Sequence, residues 1–148
     1  MDLAIVYKIV NLSVLPAWGL LMFAPNWRLT ERCVHAAFMP LILAAVYIYF
    51  LGWGIFFGGG AEGAGMGSLN AVMTLFDSPV SMIAGWVHYL AFDLFVGAWI
   101  VRDGQRRGTG PLLRLPCLVF TLMFGPVGLA MYFVVRLVKG EGLRLTEV

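Results

Sequence analysis

Four long apolar stretches alternate with short polar ones along this chain. Leu3 to Phe23 is interrupted by Lys8, Asn11 and Pro16. A second runs from about Cys33 to Phe57, a third from Pro79 to Val101, and a fourth from Leu112 to Val138. Each reaches the roughly 20 residues that a bilayer-crossing helix needs. The pattern predicts an all-α integral membrane fold, a four-transmembrane-helix bundle forming one domain over 1–148, with spans at about 3–23, 33–57, 79–101 and 112–138. Between the second and third stretches lies a glycine-rich loop, Gly58 to Gly67. Residues Ser68 to Asp77 then place Leu69, Val72, Met73 and Phe76 on one stripe, the mark of a short interfacial helix. Ser78-Pro79 opens the third span, since proline suits a first helical turn.

Prolines inside the spans add local detail. Pro16 frees the carbonyl of Leu12, and Pro126 frees that of Leu122. Such carbonyls persist in lipid when neighbouring helices satisfy them. Gly125 and Gly128 beside Pro126 let another helix approach closely. Ala44, Ala45, Gly52 and Gly54 serve helix packing within a chain or between copies, so a homo-oligomer is compatible with the sequence.

Composition supports the membrane assignment. Of 148 residues 61% are hydrophobic and only 12% charged, with a mean hydropathy of +0.88. A soluble domain carries about 25% charged residues. Ten Lys+Arg against eight Asp+Glu give no basic face for nucleic acid. Cys33 and Cys117 have neither CxxC spacing nor a partner pattern, and read as small hydrophobes in helices. The glycine-rich loop lacks both phosphate-binding spacings, so no nucleotide cofactor is indicated. The N-terminus does not read as a cleavable targeting segment. With four spans both termini share one side. Arg28, Arg32, Arg102, Arg106, Arg107 and Arg114 around loops one and three outnumber Lys8, Arg136, Lys139 and Arg144 opposite, which favours loops one and three facing the cytoplasm.

The candidate chemistry lies in the third span. His88 and Asp93 fall near its middle, where an aspartate costs about 2.5–3.5 kcal/mol on insertion scales. Such groups face the bundle interior and find partners there. At 100° per residue they stand about 140° apart around the helix, so they form no direct pair. Trp86 and Tyr89 lie on the Asp93 side, and Gly85 and Phe92 on the His88 side. A carboxyl in hydrocarbon favours its protonated form and can donate to a ligand oxygen as a general acid. The candidate catalytic residues are therefore His88 and Asp93. The candidate lining is Trp86, Tyr89, Phe92, Trp53, Leu122, Gly125 and Pro126. The competing explanation is that His88 and Asp93 lock helices together through interhelical hydrogen bonds. The aromatic cluster Tyr47, Tyr49, Phe50, Trp53, Phe56 and Phe57 reads as interface anchors or as the wall of a groove for a flat apolar ligand. His35 lies far in depth from His88, which argues against a shared metal site, and no metal is assigned.

Several spaced segments resemble a known family. They are Val14-Leu15-Pro16 with Leu21-Met22-Phe23-Ala24-Pro25, Met73 to Phe76, Trp86-Val87-His88 with Asp93-Leu94-Phe95, Arg102-Asp103-Gly104, and Gly125-Pro126-Val127-Gly128. Together they resemble the abscisic-acid-deficient-four-like family, plant membrane proteins needed to make the carotenoid neoxanthin. The resemblance implies a polytopic membrane protein with a carotenoid-sized substrate; plant members are implicated in converting violaxanthin to neoxanthin. Without a chloroplast transit peptide the chain reads as a prokaryotic member in a bacterial inner membrane. The expected function is a carotenoid- or isoprenoid-modifying enzyme that isomerises, rearranges an epoxide of, or oxidatively cleaves a polyene. The alternative is a non-catalytic carotenoid or lipid binder, or an accessory subunit. The expected partners are a hydrophobic polyene or lipid and the membrane, and a bound carotenoid is the one cofactor-like group in view.

Overall fold

The computed structural model describes residues 2–58 and 61–145. Among them the regular structure is helical, with no strand. Helices α1 (Leu3–Ser13) and α2 (Leu15–Phe23) make up the first apolar stretch. Asp2 caps α1, its carboxylate accepting from the backbone N–H of Ala4 and Ile5 at 2.9 and 3.3 Å. The interruption at Val14 stands just before Pro16, whose ring cannot follow a continuous ladder. A short helix α3 (Arg28–Thr30) and a π-helical turn (Glu31–His35) precede α4 (Phe38–Phe56). Helix α5 (Leu69–Asp77) is the short amphipathic one, capped by Ser68, whose hydroxyl accepts from the Ala71 N–H at 3.2 Å. Helix α6 runs unbroken over Pro79–Arg106.

Among the described residues three stretches are long and apolar enough to cross a membrane: Leu3–Phe23, Arg28–Phe56 and Pro79–Arg106. Their outer surfaces fit lipid, with large side chains such as Phe23, Phe56 and Ile48 openly exposed.

The fourth stretch departs from the four-span expectation. It divides into α7 (Pro111–Phe124) and α8 (Pro126–Val138), joined at Gly125 with φ +50° and ψ −97°. A side chain on Gly128 would collide with the Thr121 backbone and the Cys117 carbonyl. At 1.5 Å per residue Cys117 and Gly128 would lie roughly 16 Å apart in a straight helix. The two helices therefore fold back on one another as a hairpin. At its base the Lys139 ammonium donates to the Arg107 carbonyl at 3.0 Å and to the Thr109 hydroxyl at 3.1 Å. Each arm, at 13 or 14 residues, is about 20 Å long, short of the ~30 Å hydrocarbon layer. Hydropathy does not distinguish this hairpin from one long span, because both are apolar over the same residues.

The chain clusters into two compact units. One comprises residues up to Leu15 with Met39–Ala91, the other Pro16–Phe38 with the residues from Phe92 onward. The first is organised around the N-terminal half of α6. Trp86 donates its indole N–H to the Asn11 side-chain carbonyl at 3.2 Å and packs on Tyr7. The second is organised around the C-terminal half. Trp18 lies against Gly97, where a Cβ would come within 2.6 Å of the indole, so glycine admits that close approach.

Candidate functional site

The first unit contains a cavity of about 520 Å³ between α4, the loop after it, α5 and the start of α6. Its walls are mainly apolar, with Phe50, Ile55, Met66, Leu75 and Phe76 among them. This size lies within the usual range for small-molecule sites. Polar side chains in the lining are few: His88, Tyr47 and Ser81. The His88 and Tyr47 rings stand 5.6 Å apart between centroids. Helix α5 closes one flank. Phe76 reaches over Gly85, and a Cβ there would come within 2.5 Å of its ring. The glycine at 85 thus lets the amphipathic helix lie close to α6 and shape the cavity.

The predicted site residues divide in position. His88 lines the cavity. Trp86 and Tyr89 stack on one another at 5.3 Å, with Trp86 tied to Asn11. Trp53 lies parallel to Phe50 at 6.4 Å and borders a separate surface depression with Tyr49 and Phe57. Phe92 is exposed.

In the second unit Asp93 is buried at the hairpin tip, its carboxylate against Gly125. A Cβ on that glycine would lie 2.6 Å from Asp93 Oδ1. Gly125 is also where α8 begins, and a helix N-terminus favours a negative or acceptor group. Pro126 occupies the first turn of α8 and is exposed, and Leu122 is half-buried one turn before the tip. The same unit holds His35, whose Nδ1 lies 3.5 Å from an Arg102 guanidinium nitrogen. Among the described residues no three His, Cys, Asp or Glu side chains gather as a metal-ion cluster.

A further polar cluster lies at the hairpin base, in residues that were not among the candidate site residues. The buried Tyr132 hydroxyl donates to Asp103 Oδ2 at 2.7 Å. Arg107 Nε donates to both Asp103 oxygens at 3.0 and 2.9 Å. The fully buried Arg136 lies 3.5 Å from the same carboxylate, and it donates to the carbonyls of Gly142 and Arg144 at 2.5 and 2.8 Å. Lys139 pairs with Glu141 at 2.8 Å. The advance signals were the Arg102-Asp103-Gly104 segment of the family resemblance and the i,i+4 spacing of Asp103 and Arg107. The reach from α6 to Tyr132 and Arg136 depends on the chain folding back at Gly125.

Comparison with known proteins adds a lineage to this geometry. Residues 5–132 match the family model described as ABA DEFICIENT 4-like. Among curated proteins the chain is similar to "Protein ABA DEFICIENT 4, chloroplastic" of Arabidopsis thaliana, 24% identical over 139 residues. That alignment covers 88% of this chain and 60% of the relative, so the chain spans about three-fifths of the relative's length. No solved structure matches it. This match corrects the expectation of a bacterial inner membrane, because the relative is a plant chloroplastic protein.

Proposed function

The chain belongs to the ABA DEFICIENT 4-like family, and from that membership we propose that it binds the end group of a carotenoid or related isoprenoid and chemically modifies it. The observation that carries this reading is the cavity beside α6, apolar over most of its wall and holding His88. An end ring fits such a space by apolar contact, while the polyene runs out along the lipid-facing helices. His88 acts as the proton-transfer group or polarises a ligand oxygen, roles for which imidazole is suited near neutral pH. The reaction class is isomerisation, epoxide rearrangement or oxidative cleavage. In this reading Leu3–Phe23, Arg28–Phe56 and Pro79–Arg106 cross the membrane, while the α7–α8 hairpin enters and leaves on one side. Asp93 seats the hairpin tip instead of meeting the ligand.

The scarcity of polar groups in the cavity also favours a second reading, a binder without chemistry. One experiment addresses both. The full chain is produced in a carotenoid-synthesising host and purified, and its absorption spectrum and the host's pigments are recorded. A three-peaked visible band with an altered pigment profile, reverting with His88→Ala, is expected. Bound pigment with an unaltered profile selects the binder. Neither pigment nor altered profile overturns the proposal.

A further inference from the structure

A separate cavity of about 380 Å³ lies in the second unit, bordered by Leu21, Phe23, Pro25, Val101, Arg114 and Leu118. We propose that it is a binding site for an anionic membrane lipid, with Arg114 meeting the headgroup phosphate and the apolar wall taking the start of an acyl chain.

Three observations converge. First, Arg114 is the charged residue of this lining, and its charge is not balanced by protein. One guanidinium nitrogen donates to the Val101 carbonyl at 3.2 Å, whereas the buried Nε has no hydrogen-bond partner. Among the described residues no ion pair to Arg114 is found; the nearby Asp103 is engaged by Arg107, Tyr132 and Arg136. Partly burying a guanidinium is costly unless an anion compensates it, and its planar fork suits phosphate oxygens. Second, Arg114 is built into place. Its stem lies across Gly104, where a Cβ would come within 2.5 Å of Arg114 Cδ, so any larger residue there would displace it. Third, the cavity is lined by Asn26 of the first loop, next in sequence to a strongly basic segment. Gln105 donates to the Asn26 side-chain oxygen at 2.6 Å, joining the first loop to the end of α6. Arg28, Arg32 and Arg106 lie exposed on those same segments. Such a concentration of arginine at headgroup level attracts anionic lipid over zwitterionic lipid. An acyl chain then finds Leu21 and Leu118 instead of water.

The test titrates the delipidated full-length protein with phosphatidylglycerol or phosphatidylcholine and counts bound lipid by native mass spectrometry. Wild type should retain one phosphatidylglycerol in preference to phosphatidylcholine. Loss of a charge-assisted contact of about 1.5–3 kcal/mol corresponds to at least about tenfold weaker binding in Arg114→Gln. Leu115→Trp, which fills the cavity and leaves the charge, should weaken it comparably and carries the test if Arg114→Gln does not fold. Arg32→Gln, on the exposed surface, should change little. Equal binding of the two lipids, or equal losses in Arg114→Gln and Arg32→Gln, would overturn the site. Displacement of the lipid by millimolar inorganic phosphate would overturn the lipid assignment and identify a free anion as the ligand.

Discussion

Around His88 the polar side chains are few and line a cavity whose walls are otherwise mainly apolar. Around Asp103 they are many and face one another. One carboxylate receives a phenol and an arginine Nε, and a second guanidinium lies at ion-pair distance. His88 and Asp103 both lie on α6, and both are unusual in so apolar a chain. The difference teaches where binding and where stability reside. A polar group in an apolar setting is retained either because protein satisfies it or because a ligand does. The Asp103 cluster is of the first kind; His88 borders a cavity, where on our proposal a ligand adds to its contacts.

The sharpest break of this comparison concerns topology. If the hairpin base is held by Asp103 and Lys139, the loop before α7 and the tail after α8 lie on the same membrane face. Cysteines at Gly110 and Gly142, both with open space around them, should be labelled from the same side in a background lacking Cys33 and Cys117. Labelling from opposite faces would restore a full fourth span.

Arg136→Ala should have the largest effect on stability. Removing one partner of a buried ion pair costs about 3–5 kcal/mol. Thermal unfolding in detergent should show a large drop, and a wild-type melting curve would mean that the cluster does not hold the hairpin. Tyr132→Phe removes one hydrogen bond to a charged acceptor and should cost about 1.5–3 kcal/mol in the same assay. Gly128→Ala forces a methyl into the α7 backbone and should cost about 1–3 kcal/mol by overpacking. Gly19→Ala, with open space around it, is the control and should be close to neutral. His88→Ala, at an exposed position, should be small as well, within about 0.5 kcal/mol, while abolishing the pigment change. A His88→Ala protein that melts early yet keeps the pigment change would reverse the comparison.

Much of the fold was legible beforehand. The α5 stripe was evident from the 3–4 spacing of Leu69, Val72, Met73 and Phe76, and the start of α6 from Ser78-Pro79. The angular separation of His88 from Asp93 followed from helix geometry alone. The candidate site was less legible. Tyr47, Phe76 and Ser81 come to His88 from distant segments, and no spacing along the chain encodes that meeting.

The sequence by itself determined that these residues form apolar helices, because lipid requires every backbone polar group to be satisfied within its own segment. It also marked Pro16 and Pro126 as points where a backbone hydrogen bond is lost, without showing that the helix ends there, since Pro116 lies inside the unbroken α7. Only tertiary structure decided what each break does. At Pro16 two helices remain in one apolar stretch long enough to cross, whereas at Gly125 the chain turns back. That choice rests on a buried carboxylate at the tip, a glycine seated on a neighbouring backbone and a charged clasp at the base, contacts between residues far apart in the chain that hydropathy does not register.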